Sequence, residues 1–395
     1  GIIPFGLAEN KIGIDVLFPQ LEAIASRPDE RHFYNYSKMT GEDSFRLSLK
    51  KFLEHEFHPL HELDVNTLFV TNGVTAILEN LAFALAQPGE YFMVVRPYYY
   101  RLYLDFFERA GVKILPVDQP LPSETADNRY ALDVSALERA MKQASSEGKV
   151  VRAINITNPS NPTGDVYTAE ELKELLDFAH RYKLHVIANE LYGLSMFDPK
   201  VNFTSVLSLP MPDPERVHFL WGFSKDFGLS GLRISTIYTR SPGVARFCRQ
   251  TGIYLRPTGI GQSRVQPIID DLENIDSRIF PELRRKIAAR RQSVKEAIEE
   301  CGGRVHPSPA TIFRWIDLSS FLLSPDWEGE HQLFLRIFSA GVHLVEGSSL
   351  GHSVPGWFRM ITALEDEVHA EGMKRLVAVL KSIRLEKEEH QQQQQ

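Results

Sequence analysis

A three-layer α/β domain on a mostly parallel seven-stranded sheet, joined to a smaller α+β domain, is the fold this sequence predicts. Three observations predict it. Seven short β-rich runs alternate with helical patterns between residues 68 and 238. The alternation then stops and gives way to one long charged helical pattern followed by short strands. The chain has 395 residues, enough for two or three domains at roughly 150 residues each.

The β-rich runs are 68–71, 91–95, 113–117, 150–157, 185–190, 217–223 and 233–238. The clearest helix between them spans 168–182. Thr168 is placed to cap it, Glu171 completes a capping box, and Leu172, Leu175, Leu176 and Ala179 fall on one face. Strands that alternate with helices form parallel sheets covered on both faces. Beyond residue 238 the pattern predicts a long helix over 282–300, strands over 311–316, 342–344 and 357–361, and a last helix over 365–384. Residues 386–395 are charged and then poly-Gln, with nothing to bury, so a disordered tail or tag is expected there. No internal repeat is visible.

Composition excludes several classes. Hydrophobic residues make 43% and charged residues 24%, the balance of a globular chain rather than a disordered one. With 44 basic and 51 acidic residues the net charge is −7, and no basic domain marks a nucleic-acid partner. No apolar run approaches the ~20 residues of a membrane helix. Residues 1–10 carry no basic stretch followed by an apolar one, so no signal peptide is read and a cytoplasmic location is expected. The only cysteines, Cys248 and Cys301, are not in a CxxC pair and read as reduced structural thiols. No metal site is expected.

Chemistry concentrates in two runs. Ser224-Lys225-Asp226 follows the apolar strand 217–223 and precedes Gly228 and Gly231. Alone, Lys225 reads as a surface lysine just past a strand. A lysine desolvated at a strand end loses pKa and becomes a nucleophile toward carbonyls. The second run, Asn158-Pro159-Ser160-Asn161-Pro162-Thr163-Gly164, follows strand 150–157 at its C-terminal end, where open α/β sheets bind ligands. Its two prolines stiffen a turn that can present the Asn161 amide as a donor.

The order NPSNPTG, then a strand ending near NELY, then SKDFGLSGLR resembles the class I/II aminotransferase family of pyridoxal phosphate (PLP) enzymes of fold type I. Within it the chain is most similar to the 1-aminocyclopropane-1-carboxylate (ACC) synthase-like branch of animals and fungi. GLAEN at 6–10, GSSLG at 347–351 and PGWFR at 355–359 carry that likeness, and the resemblance spans about 1–385. It implies an N-terminal arm and part of the small domain over 1–45, a large PLP-binding domain over 46–280, and a C-terminal small domain over 281–385. It also implies a homodimer with shared active sites and a small amino-acid substrate.

Carried over residue by residue, the resemblance makes Lys225 the lysine that holds PLP as a Schiff base and later moves the Cα proton. Arg233 pairs with the cofactor phosphate, helped by Ser224 and by Gly73-Val74-Thr75 at a helix start. Tyr98 stacks on the pyridine ring. Asn161 and Tyr192 hydrogen-bond the cofactor's 3′-oxygen, and Arg359 holds the substrate α-carboxylate. Glu9 falls either near the substrate side chain or at a helix N-terminus.

Three positions depart from the family pattern. Asn189 stands where relatives carry an Asp beside the ring nitrogen. An amide supplies no charge, so the carbanion is less stabilised and elimination gains on transamination. Met39 stands where plant ACC synthases carry a Tyr that reaches the partner subunit, with Tyr36 or Tyr34 nearby to compensate. Gly222 stands where many relatives carry a phosphate-binding Ser. The expected function is therefore Cα–H abstraction from an L-α-amino acid followed by β- or γ-elimination or replacement, with a C–S bond as the natural target. The competing expectations are an ordinary aminotransferase, ACC synthase proper acting on S-adenosylmethionine, and a non-catalytic PLP-binding protein.

Overall fold

Seven strands form the large sheet of the computed structural model, which describes residues 1–99, 101–125 and 127–393. They are β1 (Leu68–Asn72), β2 (Tyr91–Val95), β3 (Lys113–Val117), β4 (Val151–Thr157), β5 (His185–Asn189), β6 (Val217–Gly222) and β7 (Ile234–Thr239). Their spatial order is β1-β7-β6-β5-β4-β2-β3. β2 to β6 pair in parallel, and β7 runs antiparallel to both β1 and β6.

Burial explains the layers. Along β5, Val186 and Ala188 join one core cluster while Ile187 joins another. Helices Val74–Leu85 and Pro242–Leu255 cover the Ile187 face. Helices Val134–Ser146 and Ala169–Arg181 cover the other. The predicted capping box forms, with the Glu171 amide donating to the Thr168 hydroxyl at 3.2 Å and the Thr168 amide donating to Glu171 at 2.7 Å.

A second, antiparallel sheet orders β10-β11-β9-β8 from β8 (Arg304–Val305), β9 (Phe313–Asp317), β10 (Val345–Glu346) and β11 (Trp357–Ile361). Helices Phe280–Cys301 and Asp366–Gln393 flank it. The strand expected at 342–344 is displaced. Val342 instead bridges Ile3, because the N-terminal arm runs beside it: the Ile3 amide donates to Gly341 O at 2.8 Å and the His343 amide to Ile3 O at 2.9 Å. The Ile361 amide then donates to Phe5 O at 2.8 Å, so the start of the chain lies on the C-terminal sheet.

The segment expected as a disordered tail is helical as far as Gln393, while Gln394 and Gln395 lie outside the described residues. Glu, Lys and Gln are good helix formers, and the extension is tied down. Lys387 Nζ donates to Ser320 O and Leu322 O at 2.8 and 2.7 Å, and Arg336 pairs with Glu386 at 2.7 Å. Among the described residues no helix is long and apolar enough to cross a membrane. Cys248 and Cys301 are both buried and unbridged.

Candidate functional site

The C-terminal ends of β4, β5 and β6 and the N-terminus of helix Val74–Leu85 surround one cavity, with a volume of about 120 Å³. Its position follows from topology, because parallel strands present all their C-terminal ends on one edge. The turn between β6 and β7 spans only 223–233. Since β7 returns antiparallel, both ends of that turn stay on the same edge, and they carry Lys225 and Arg233.

Lys225 lies one turn into the short helix Phe223–Asp226. Its Nζ donates to the Ala8 carbonyl, so the N-terminal arm closes over it. Desolvation pushes its pKa down to about 8; the Arg359 and Arg233 guanidiniums push the same way and Glu9 opposes them. The neighbouring Asp226 points into the fold. It accepts from Ser195 Oγ at 2.6 Å, Trp221 Nε1 at 2.9 Å and the Leu194 amide at 3.2 Å. These bonds anchor the lysine turn from behind.

At one end the site is built to receive an anion. Gly73 adopts φ +87 and opens helix Val74–Leu85 without a capping side chain. Uncapped first-turn N–H groups attract negative charge. A Cβ on Gly73 would lie 2.1 Å from Arg233 Nη2, so only glycine lets the guanidinium approach the helix start. Arg233 adopts φ 56 and its Nη1 donates to Ser230 O at 3.2 Å. Val74, Thr75 and Ser224 also line this cavity.

Asn161 and Tyr192 line the same cavity beside Lys225. Arg359, on β11, is 1% exposed and donates through Nη1 to Asn161 Oδ1 at 2.9 Å and through Nη2 to Gly6 O at 2.8 Å. Because the Asn161 oxygen accepts from Arg359, its Nδ2 is the atom turned to other partners. The loop holding Asn161 is braced by Asp165, which His306 Nε2 meets at 2.8 Å and the Tyr130 amide at 3.2 Å. Burial raises the Tyr192 hydroxyl well above its usual pKa, and its ring packs edge-on to Phe313 at 5.4 Å.

Several expected residues are placed differently. Tyr98 does not line the cavity; it packs on Gly351, and its amide donates to Leu350 O at 2.8 Å. The neighbouring Tyr99 lines it instead, although both tyrosines pack against the same core cluster. Tyr100 lies outside the described residues. Glu9 does not line the cavity but bonds Ser230, which does. It accepts from Ser230 Oγ at 2.7 Å and pairs with Lys11 at 3.0 Å; burial pushes its pKa up, but these partners outweigh it and hold the carboxyl low. Tyr36 is 93% exposed under Arg256 at 5.6 Å, and Met39 Sδ lies 3.0 Å from Arg256 Nη1. Neither is brought to the cavity of its own chain. Gly222 has a steric reason: a Cβ there would lie 2.7 Å from Ser235 Cβ.

Asn189 ends β5 and lines the cavity, 8% exposed, and its Oδ1 has no hydrogen-bond partner. Sequence reasoning missed Asp105, 4% exposed, which lines the cavity from the turn Leu104–Glu108. Its sequence signal is a single acid between Leu104 and Phe106. The residues present fit PLP. A glycine-cleared anion cradle, a buried lysine of lowered pKa and an orphaned buried acceptor occupy one cavity.

A family model described as Aminotransferase class I and II matches residues 3–376. The chain is 34% identical over 388 residues to 1-aminocyclopropane-1-carboxylate synthase-like protein 1 of Homo sapiens, covering 96% of this chain and 76% of that one. It is 32% identical over 386 residues to the protein of the same name in Takifugu rubripes, covering 96% of this chain but only 62% of that one. A human relative named probable inactive 1-aminocyclopropane-1-carboxylate synthase-like protein 2 is 32% identical over 384 residues, covering 96% and 67%. Among solved structures, an aromatic aminotransferase from Pyrococcus horikoshii superposes with a TM-score of 0.80 at 23% identity, covering 97% of this chain and 96% of that one.

Proposed function

The chain belongs to the class I and II aminotransferase family, and on that premise we propose that it is a PLP-dependent enzyme that labilises the Cα–H bond of an L-α-amino acid and then expels a β- or γ-substituent. Lys225 carries this reading: it is a lysine of pKa about 8 in the cavity that also holds the anion cradle. When bound, PLP supplies an aldehyde that condenses with amines and a ring that accepts the electron pair of the broken Cα–H bond.

The chain's own residues do the rest. The helix start at Gly73-Val74-Thr75, with Ser224 and Arg233, would hold the phosphate. Tyr99 would pack on the ring, while Asn161 Nδ2 and the Tyr192 hydroxyl would serve its 3′-oxygen. Arg359 fixes the substrate carboxylate, for which a planar guanidinium is suited, and the Ala8 carbonyl orients the Lys225 amine that takes and returns the Cα proton. The arm through Gly6 and Ala8 joins Arg359 to Lys225, so carboxylate binding and proton transfer share one support. Glu9 sits where it can meet a substrate side chain. In a homodimer, Tyr36 and Met39 would serve the neighbouring site, as the resemblance to ACC synthases implies for position 39.

Asn189 favours elimination over transamination, because an amide gives the ring nitrogen no full negative charge. A sulfur leaving group discharges a weakly stabilised carbanion most readily. The test is a screen of the PLP-loaded protein with amino acids and cysteine conjugates. Release of thiol and 2-oxo acid is expected. Accumulation of the aminated cofactor without thiol selects an aminotransferase, and methylthioadenosine from S-adenosylmethionine selects ACC synthesis. A borohydride-sensitive absorption band with no turnover selects a non-catalytic binder. Arg359→Leu should lower kcat/KM by about 10²-fold, as removal of a buried charge partner does, mainly through KM.

A further inference from the structure

The anion cradle does not explain every polar residue that lines the cavity. Asn189 and Asp105 both line it, both are more than nine-tenths buried, and each carries a side-chain oxygen without a hydrogen-bond partner: Oδ1 of Asn189 and Oδ2 of Asp105. Buried acceptors are normally satisfied. Two orphans lining one cavity call for a ligand that brings a donor. Asp105 is also the only acidic side chain among the described residues lining this cavity, which otherwise carries Lys225 and Arg233.

The setting of Asp105 keeps its charge responsive. Its neighbours are Arg101, one turn earlier, and Glu79 on the facing helix Val74–Leu85, itself paired with Arg109 at 3.0 Å. Burial pushes the carboxyl up to about 7, with Arg101 pulling down and Glu79 pushing up. A carboxyl in that range is partly ionised near neutral pH and becomes fully ionised when a cation docks beside it. Away from its lysine attachment and its phosphate, PLP would offer one further cationic atom, its ring nitrogen when protonated.

We propose that Asp105 is the counter-charge for the cofactor's ring nitrogen: the Asn189 amide oxygen accepts the ring N–H, and the Asp105 carboxylate supplies the negative charge that an amide lacks. The charge has moved from the strand end at residue 189 to the neighbouring turn. Acting from a second position, it holds the ring proton less tightly than a directly bonded carboxylate, since Coulomb attraction falls with distance. Asp105 is thus a positioning residue that tunes the ring. This rests on the PLP reading of Lys225.

The test compares the affinity of the full chain for PLP with its affinity for the carbocyclic analogue, in which C–H replaces the ring nitrogen. Asp105→Asn should weaken PLP by about ten- to a hundred-fold, the range for a hydrogen-bonded charge, and leave the analogue unchanged. Asp105→Leu, which removes the polar atoms, should do the same. Asn189→Asp in the Asp105→Asn background should restore PLP affinity and the pH midpoint of the cofactor's absorption band. Equal losses for both ligands, no loss for either, or absence of rescue overturns the assignment. A wild-type protein that forms no borohydride-sensitive band overturns the reading of Lys225 and this inference with it. A normal wild-type band with Asp105→Asn indistinguishable from it overturns this inference alone.

Discussion

The two ends of the cavity are made of different materials. The anion end is mostly backbone: a glycine of positive φ, an uncapped helix start, and Arg233 held in a left-handed conformation. The part of the cavity we assign to the ring nitrogen is mostly side chain, from Asn189 at the end of β5 and Asp105 on a turn more than eighty residues earlier. A backbone-built end cannot lose one feature without reshaping the rest. A side-chain end can shift a charge between elements while the fold stays the same. The departures from the family pattern fit this contrast. At the anion end Gly222 is tied sterically to Ser235, whereas at the ring end Asn189 changes the chemistry and leaves the backbone alone.

Removing the residue between the two ends should have the largest effect. Lys225→Ala should abolish the borohydride-sensitive absorption and lower turnover by about 10³-fold or more, as loss of a nucleophile and proton carrier does. Phosphate-end binding should survive, so the variant should still take up PLP non-covalently by equilibrium dialysis. If Lys225→Ala also fails to bind PLP, the two ends are not independent. In the wild type, covalent loading needs the neutral amine, which predominates above the pKa of about 8. The loading rate should therefore rise as pH increases through about 8 and level off above it. Stability has the same sign: the folded lysine titrates below its unfolded value of 10.5, so the unfolded chain binds more protons between the two, and stability rises with pH there.

The next effect separates backbone from side chain at the anion end. Gly73→Ala places a methyl group 2.1 Å from Arg233 Nη2 at a φ of +87 that alanine resists. The backbone strain should cost about 1–2 kcal/mol of stability, and displacing the Arg233 guanidinium from the helix start should cost about ten-fold in PLP affinity. Titration of Gly73→Ala with free phosphate should show the same loss. A selective loss of PLP with phosphate binding intact would mean that the cradle does not depend on the close approach of Gly73 and Arg233.

The contrast also explains how far the sequence was legible. The anion end and the Lys225 turn lie in contiguous runs, because backbone geometry must be made locally. The central strands β2, β4, β5 and β6 were legible for a similar reason: buried parallel strands are near-continuous apolar runs. Tyr98 and Tyr99 could not be told apart, since they are adjacent tyrosines and only the tertiary setting decides which one reaches the cavity. Asp105 was invisible because its burial depends on helix Val74–Leu85 lying against its turn. β10 is two residues long, too short for any periodicity, and the helical extension to Gln393 depends on carbonyls of Ser320 and Leu322 more than sixty residues away.

The smallest effect tests whether Gly222 is a lost contact or a coordinated exchange. A Ser at 222 adds a hydroxyl at the phosphate end but brings its Cβ within 2.7 Å of Ser235 Cβ. Ser235 is itself engaged, with its Oγ 2.9 Å from Thr71 Oγ1 and donating to Thr71 O at 3.2 Å. Gly222→Ser alone should thus gain no PLP affinity and lose about 1 kcal/mol of stability, as overpacking of a tight site does. Gly222→Ser combined with Ser235→Gly relieves the crowding and should tighten PLP by about three- to ten-fold, the worth of one neutral hydrogen bond. Thermal unfolding and PLP titration of the two variants read both quantities. Tighter PLP binding by the single variant would mean that strands β6 and β7 yield at this point, and that the anion end is as open to side-chain exchange as the ring end.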